Sequence, residues 1–349
     1  MDAYNGNNTD SFRDKKGSTI QIIIGVTFSL LMIIGLFINT TTLYTFKLNT
    51  RLQTPTNILI IGCVICDFFM ILFGFPFVIA SSFYGDWIFG SAWCEGYGFI
   101  VTLLGVTNIC ILSAIAVDRY IVVLNLRFAR RITTFKAVMT ILSCFGYGLL
   151  WATFPLIGWG GFVVERNRLA CGPDWGNTHQ SARSYNVTIM VLVFGLPLAI
   201  MSYCYMKIFI KVRCLKVRNH RVTSLASIDA SRKMEQEVAI SVFFVLVGFV
   251  LAWMPYAILS MWAMNNDIKR MSENVAIIAP LLAKSACVWN PLIYIGKNTA
   301  FRKAFLDMLK KKEPQISISG PSTSERKTEH VTKENEAIPK KILVKDSSV

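Results

Sequence analysis

The sequence has few charged residues for its length, and this shortage indicates the class of protein. Only 16% of its 349 residues are Asp, Glu, Lys or Arg, whereas a soluble domain carries about 25%. Hydrophobic residues make up 53% of the chain, which argues against an intrinsically disordered chain, a collagen-like chain and a small disulfide scaffold. The composition therefore predicts a protein that lies in lipid.

Histidine is also scarce, with three residues at His179, His220 and His330. No group of cysteine and histidine residues has the spacing of a metal site, so we expect no bound metal. The formal net charge is +15. Lys and Arg beside a membrane are each attracted to anionic lipids by about 1 kcal/mol. The positive charge therefore requires no nucleic acid as a partner.

Long apolar runs take the place of the missing charge. A bilayer core needs about 20 apolar residues per helix, and seven runs reach that length. They are Thr19 to Phe46, Thr56 to Phe83, Trp93 to Val123, Ala137 to Trp159, Arg183 to Ile210, Val238 to Trp262 and Asn274 to Ile295. The first is too long for the apolar part of a signal peptide. The sequence predicts an all-α fold, a seven-helix transmembrane bundle over residues 19–296.

The basic residues predict the orientation of this multi-pass membrane protein. They concentrate in the loops after runs one, three, five and seven, and such loops face the cytoplasm. The amino-terminal segment, residues 1–18, is therefore expected to be extracellular. Asn7 begins the glycosylation sequon Asn7-Asn8-Thr9 on that side.

Two segments follow the seventh run. Residues 297–312, with Phe301 and Leu306 among basic side chains, predict a short amphipathic helix on the inner leaflet. Residues 313–349 have the composition of a disordered tail. Its end, Ser347-Ser348-Val349, fits a peptide-binding domain that captures a carboxyl terminus.

Two of the nine cysteines lie on the predicted extracellular side, and the other seven lie within or beside the apolar runs. Cys94 lies at the outer start of run three, and Cys171 lies in the long outer loop after run four. Disulfides persist in an extracellular compartment. A bridge between these two would hold the loop over the bundle.

Lys284 lies near the middle of the seventh run, where a charge costs about 3 kcal/mol. It is too deep for its amine to reach either membrane surface. Two interpretations remain open on the residues alone. Lys284 could pair with Asp67, an acid at similar depth in run two, or its amine could be a nucleophile that condenses with an aldehyde.

Short motifs lie at the cytoplasmic ends and in the middle of the runs. Asp118-Arg119-Tyr120 ends run three, Asn290-Pro291-Leu292-Ile293-Tyr294 ends run seven, and Trp253-Met254-Pro255-Tyr256 lies within run six. With Asn39, Asp67, Cys94 and Cys171, this combination resembles the rhodopsin-like G-protein-coupled receptors from about Gly35 to Leu309. Lys284, six residues before Asn290, resembles the retinal-attachment lysine of the animal opsins.

The opsin resemblance implies a cofactor, a location and partners. Retinal, 11-cis in the dark, would form a protonated Schiff base with Lys284 and isomerise in light, which activates a heterotrimeric G protein. The protein would lie in the plasma membrane or a photoreceptor membrane and would not be an enzyme. Phosphorylation of the tail by a receptor kinase could recruit an arrestin.

The resemblance also implies a counterion for the Lys284 cation, because a buried cation needs an anion. Vertebrate visual opsins have a glutamate three residues after the first disulfide cysteine, where this chain has Tyr97. Glu165, six residues before Cys171, matches the other counterion position of the family. This pattern is typical of invertebrate and non-visual opsins, many of which are bistable. The alternative is an exposed Glu165 paired with Arg166 or Arg168.

Further residues carry over by the family match. The predicted pocket contains Lys284, Glu165, Tyr97, Gly98, Thr102, Gly105, Phe194, Phe249, Trp253, Tyr256, Ala257 and Ala283. The predicted activation switch contains Asp118, Arg119, Tyr120, Glu235, Tyr205, Asn290, Pro291 and Tyr294. Asn39 and Asp67 are expected in a polar core with Asn290. For each pocket residue, ordinary helix packing is the alternative.

Three other functions remain open from the sequence. A photoisomerase opsin would bind retinal and signal weakly or not at all. A microbial-type retinal ion pump would lack the Arg119 and Asn290 motifs. A receptor for a diffusible ligand that happens to carry Lys284 would form no visible band with retinal.

Overall fold

The computed structural model describes residues 18–129, 131–219, 226–267, 270–297 and 299–310. Among these residues, seven helical segments are long and apolar enough to cross a membrane, which confirms the predicted bundle. Spans one to seven are Thr19–Leu48, Pro55–Tyr84, Gly90–Leu124, Thr134–Ile157, Gln180–Asn219, Ala226–Ala263 and Glu273–Lys297. A terminal helix follows at Thr299–Lys310.

Capping hydrogen bonds, a proline and a glycine determine where spans one and two begin and where span two ends. The side chain of Ser18 accepts a hydrogen bond from the Gln21 nitrogen, and the Gln21 side chain accepts one from the Ser18 nitrogen, so this capping box begins span one. Thr54 caps span two, whose first residue is Pro55. Span two ends at Gly85, which has a φ of 91°. Only glycine adopts this left-handed conformation at low cost.

Spans four, five and six have boundaries that differ from the apolar runs, and the helix of span five continues to Asn219, beyond Ile210. Span six begins at Ala226 rather than Val238, because a polar stretch precedes its apolar part in the same helix. Hydropathy detects the part that lipid contacts and misses a polar extension of the same helix. Span four ends in a 3₁₀ turn, Phe154–Ile157, before Gly158 and not at Trp159. Gly158 has a φ of 95°, which turns the chain out of the helix.

The long loop after span four contains a β-hairpin. Strands β1, Phe162–Val164, and β2, Cys171–Pro173, are antiparallel, with Val164 opposite Cys171. A disulfide joins Cys171 to Cys94 at the start of span three, as predicted. The hairpin therefore lies against the bundle at one end, called here the disulfide end. The opposite end, where Asp118 closes span three, is called the Arg119 end.

The surface and interior of the bundle have the polarity expected in lipid. Large apolar side chains such as Ile33, Phe135 and Leu251 are exposed on its flanks, where lipid tails would cover them. Asn39 and Asp67 are fully buried. Polar groups thus gather inside the bundle, where they can only bond to one another.

The terminal helix packs on span seven through one aromatic side chain. Phe301 is fully buried and its ring centroid lies 5.1 Å from that of Tyr294. Arg302 and Lys303 are exposed, which gives the two faces of the predicted amphipathic helix. Asn7, the tail and its last residues Ser347-Ser348-Val349 lie outside the described residues.

Candidate functional site

A cavity lies inside the bundle toward the disulfide end, between spans three, five, six and seven and the hairpin. Its walls are nearly all apolar, and about 980 Å³ around it, counting the part open to solvent, is free of protein atoms. Ten predicted pocket residues line it. They are Thr102, Gly105, Glu165, Phe194, Phe249, Trp253, Tyr256, Ala257, Ala283 and Lys284.

Tyr97 and Gly98 are the two pocket predictions that the structure corrects, since neither lines this cavity among the described residues. The Tyr97 ring packs edge-on against Phe77 and Trp87, at centroid distances of 5.6 and 5.5 Å. Gly98 faces Phe162 of β1, and a Cβ added at Gly98 would lie 2.6 Å from that ring. Gly98 therefore lets β1 pack closely on span three, while Tyr97 packs on span two and the loop that follows it.

Lys284 and Glu165 form an ion pair at the wall of the cavity. The Lys284 Nζ lies 3.8 Å from Glu165 Oε1, and the two side chains are 10% and 11% exposed. Asp67 instead accepts hydrogen bonds from the amides of Asn108, at 2.7 Å, and Asn290, at 3.1 Å. Among the described contacts, the Lys284 amine thus pairs with Glu165 and not with Asp67, the alternative left open by the sequence.

Glu165 is oriented inward by the hairpin that carries it. The neighbouring Arg168 turns outward and binds Asp86, with Nε–Oδ1 and Nη2–Oδ2 distances of 2.6 and 2.8 Å. These hydrogen bonds raise the pKa of Arg168. An exposed Glu165 paired with Arg168 is therefore wrong. Glu95, one residue after Cys94, is exposed.

Aromatic side chains form the wall of the cavity on span six. Phe249 and Trp253 stack at a centroid distance of 5.5 Å, and the Trp253 ring faces Gly105, where an added Cβ would make an ordinary contact at 3.4 Å. At the disulfide end, Trp175 Nε1 donates a hydrogen bond to the Tyr256 hydroxyl at 3.0 Å. The cavity is therefore bounded by rigid planar groups.

Sequence reasoning missed several lining residues, among them Trp175, Met190, Val193, Pro280 and Cys287. Span five contains a π-helical segment, Met190–Gly195, which adds a residue to the turn and rotates the side chains that follow. The 3.6-residue periodicity of the sequence does not reveal it.

The residues present fit retinal as a cofactor. Its aldehyde can react with an amine, and Lys284 presents one into the cavity. Its polyene is apolar, and the lining is apolar apart from a few groups near Glu165. A binding site with apolar walls and a few placed polar groups is the usual design for a small hydrophobic ligand.

Asp118 and Arg119, two of the predicted switch residues, form an ion pair at the Arg119 end. Arg119 Nη2 lies 2.7 Å from Asp118 Oδ2. Thr56 of span two donates a hydrogen bond to the same oxygen at 2.6 Å and also accepts one from Arg119. Thr56 was not predicted. Glu235 lies on the helix of span six, but its side chain is outside the described residues, so its pairing with Arg119 stays a prediction.

Other predicted switch and core residues link the spans by contacts between side chains and backbone. The Asn39 amide donates to the carbonyl of Cys287 at 3.2 Å, which links span one to span seven. The Tyr294 hydroxyl donates to Asn57 Oδ1 at 2.8 Å. Tyr120 and Tyr205 pack on Tyr203 and Phe243, at centroid distances of 6.1 and 5.7 Å. Asn290 and Pro291 lie within span seven. Asn57 and Asn108 are further partners that sequence reasoning missed.

Known proteins with this arrangement are numerous. Residues 38–294 match the family "7 transmembrane receptor (rhodopsin family)". The human visual pigment-like receptor peropsin is 33% identical over 311 residues, which covers 87% of this chain and 90% of the relative. The G0-coupled rhodopsin of Mizuhopecten yessoensis is 28% identical, over 82% of this chain and 72% of that protein.

A solved structure of an opsin has the same fold as this chain. The crystal structure of squid rhodopsin superimposes with a TM-score of 0.77 at 28% identity, and the match covers 83% of this chain and 85% of squid rhodopsin. The family match and the peropsin relative both span most of the bundle described above. The chain therefore belongs to the rhodopsin family of seven-transmembrane receptors, as an animal opsin.

Proposed function

We propose that this opsin is a light-activated receptor that holds retinal covalently at Lys284 and signals to a heterotrimeric G protein. The observation that carries the proposal is the pairing of the Lys284 amine with Glu165 at 3.8 Å, in the wall of an apolar cavity. A lysine at this depth is costly without a role. The likeness to rhodopsins and to human peropsin supports a light-sensing receptor.

When bound, retinal supplies an aldehyde that condenses with the Lys284 amine with loss of water, and a polyene that changes shape in light. The Lys284 nitrogen would carry a positive charge when it holds a proton, and Glu165 would stabilise this charge as the counterion. Gly105 leaves room beside the Trp253 ring, and the aromatic wall excludes water from the nitrogen. We expect 11-cis retinal in the dark state.

The signal would pass along span six to the Arg119 end. Trp253 lines the cavity and lies two residues before Pro255, which interrupts the backbone hydrogen bonds of that helix. Movement of span six would open a crevice beside Arg119. Asp118 and Thr56 hold the Arg119 guanidinium in the present arrangement, so they belong to the inactive state in this proposal.

A loop counterion also supports a photoproduct that is stable and photoreversible. Position 97 is a tyrosine with no carboxylate, and Glu165 reaches the nitrogen from the hairpin. We propose that Glu165 stabilises the Lys284 cation both before and after illumination. The receptor would then be bistable, as many opsins with this pattern are.

The predictions that fall outside the described residues remain part of the proposal. We infer an extracellular amino terminus with a glycan on Asn7, in the plasma membrane or a photoreceptor membrane. The tail would be phosphorylated by a receptor kinase and bind an arrestin. Its last residues would bind a peptide-binding domain.

The test is to add 11-cis retinal to the expressed protein and record spectra before and after illumination. We expect a visible band in the wild type and none in Lys284→Ala, with the band retained in the control Lys136→Ala, whose exposed lysine lies at the start of span four. A colourless wild type would contradict retinal binding. It would favour a receptor for a diffusible ligand.

A second measurement separates the receptor from a photoisomerase. Light should increase nucleotide exchange on at least one purified G protein, since the Arg119 and Asn290 motifs are intact. A pigment that isomerises retinal without exchange on any G-protein class would favour the photoisomerase function. A microbial-type pump would instead move protons across a vesicle membrane in light.

A further inference from the structure

The hairpin turn contains a buried asparagine whose hydrogen bonds have no role in the mechanism above. Asn167 is 5% exposed. Its Nδ2 donates to Glu165 Oε2 at 3.0 Å and to the carbonyl of Ala276, in span seven, at 3.2 Å. Its Oδ1 accepts from the Leu169 nitrogen at 2.8 Å. Both amide protons and the amide oxygen are used, so the side chain has a single orientation.

As a result, the two oxygens of Glu165 have different partners. Oε1 faces Lys284, while Oε2 is held by Asn167. On the side of β2, a Cβ added at Gly172 would lie 2.8 Å from Oε1, so the carboxylate fills the space that the glycine leaves. A hydrogen bond donated to a carboxylate favours its ionised form. Asn167 thus holds the Glu165 carboxylate in place through Oε2.

We propose that Asn167 is a positioning residue for the counterion. It joins the hairpin turn, the Glu165 carboxylate and the first turns of span seven, so that Oε1 is fixed at the Lys284 nitrogen. It does not itself line the cavity. This inference rests on the proposed function, in which Glu165 stabilises the Lys284 cation.

Several ionisable groups surround Glu165 and are common to every variant used in the test. They are Lys284 on span seven, Tyr97 on span three, Tyr256 on span six, and Arg166 and Asp174 around a smaller cavity on the outer side of Glu165. Because they are unchanged, a difference between variants reports the loss of the Asn167 amide.

Two substitutions remove the donor in different ways. Asn167→Leu has a similar volume and no polar group. Asn167→Asp keeps the oxygen that accepts from Leu169 but places a second acid against Glu165 Oε2, which favours protonation of the pair. The control is Asn177→Leu, which removes an exposed amide of the same loop whose Nδ2 contacts Asp174 rather than Glu165.

The first readout is a pH titration of the visible band. In Asn167→Leu, we expect the visible band to be lost at a lower alkaline pH than in the wild type. We also expect the acid-induced shift of the band to occur at a higher pH. Each midpoint should move by about one pH unit, the usual effect of one hydrogen bond to a charged group. In Asn167→Asp the acid midpoint should rise further. Asn177→Leu should match the wild type, since general destabilisation moves neither midpoint.

The second readout needs no retinal. Infrared titration of the retinal-free protein follows the carboxylic acid band of Glu165, which is assigned by its absence in Glu165→Gln. We expect this carboxyl to protonate at higher pH in both Asn167 variants. This shift in a chain that forms no pigment would support the inference while the proposed function fails, which separates the two.

Midpoints equal to those of the wild type in both readouts would overturn the proposal. It would also fall if neither Asn167 variant folds while Asn177→Leu does, because Asn167 would then be needed for folding rather than for positioning Glu165.

Discussion

At the scale of single residues, the acids Glu165 and Asp67 differ in what they face. Glu165 faces the Lys284 amine, whereas Asp67 faces the amides of Asn108 and Asn290. An acid beside a cation stabilises that cation, while an acid among amides connects helices. Substitution of the two acids should therefore change different properties of the protein.

Glu165→Gln should weaken the proton affinity of the Lys284 linkage, because the neutral amide no longer stabilises the positive nitrogen. We expect the visible band to be lost on alkaline titration at least about one pH unit below the wild-type midpoint. The control is Glu95→Gln, which changes an exposed acid at the disulfide end of span three. An unchanged midpoint in Glu165→Gln would show that another group is the counterion.

Asp67→Asn should leave the absorption maximum of the pigment unchanged. Its carboxylate binds Asn108 and Asn290 in the interior and has no described contact with Lys284. The measurement is the dark spectrum of the variant beside that of the wild type. A displaced maximum would mean that Asp67 acts on the chromophore, as the rejected Lys284–Asp67 pairing requires.

At the scale of elements, the hairpin is held against span three by close packing as well as by the disulfide. Phe162 of β1 lies where a side chain at Gly98 would be. Beside it, Tyr97 packs among other aromatic rings. The hairpin carries Glu165, so the fit of β1 on span three bears on the position of the counterion.

Gly98→Ala should destabilise the protein by about 1–3 kcal/mol, the usual cost of overpacking, because the new Cβ would meet the Phe162 ring at 2.6 Å. Gly96→Ala is the matched control, since a Cβ there has no neighbour within 4 Å among the described residues. Thermal unfolding in detergent measures both. Equal Tm values for the two variants would contradict the packing described.

At the Arg119 end, spans two and three are joined by the contacts of Thr56 with Asp118 and Arg119. Thr56→Val keeps the shape of the side chain and removes both hydrogen bonds. We expect higher nucleotide exchange in the dark, as for Asp118→Asn, because Arg119 is released. The control is Thr42→Val, whose hydroxyl bonds the Ile38 carbonyl of its own helix. Dark exchange equal to that of Thr42→Val would count against this contact as part of the inactive state.

At the scale of the whole molecule, hydropathy and charge were sufficient to predict the seven spans, because lipid selects for apolar length in each helix separately. The same reasoning led to Lys284, since a cation at mid-depth is unusual. The family resemblance supplied Glu165 and most of the cavity wall. The hairpin was missed because three-residue strands leave no readable alternation.

Contacts between distant residues could not be predicted, because they depend on how the helices rotate and cross. Thr56 reads as an N-terminal residue of span two, and nothing near it in the sequence indicates Arg119. Asn167 reads as an ordinary turn residue, yet its amide reaches Ala276 on span seven. Tyr97 was expected in the pocket from the family match, whereas its ring packs against Trp87.

The whole arrangement of bundle, hairpin and cavity centres on one amine, and its chemistry can be located directly. The protein is loaded with 11-cis retinal, the linkage is made permanent by chemical reduction, and the peptides are analysed by mass spectrometry. We predict that the mass of the reduced chromophore lies on the peptide that contains Lys284 and on no other lysine. An adduct spread over exposed lysines, or none on the Lys284 peptide of folded protein, would contradict the account.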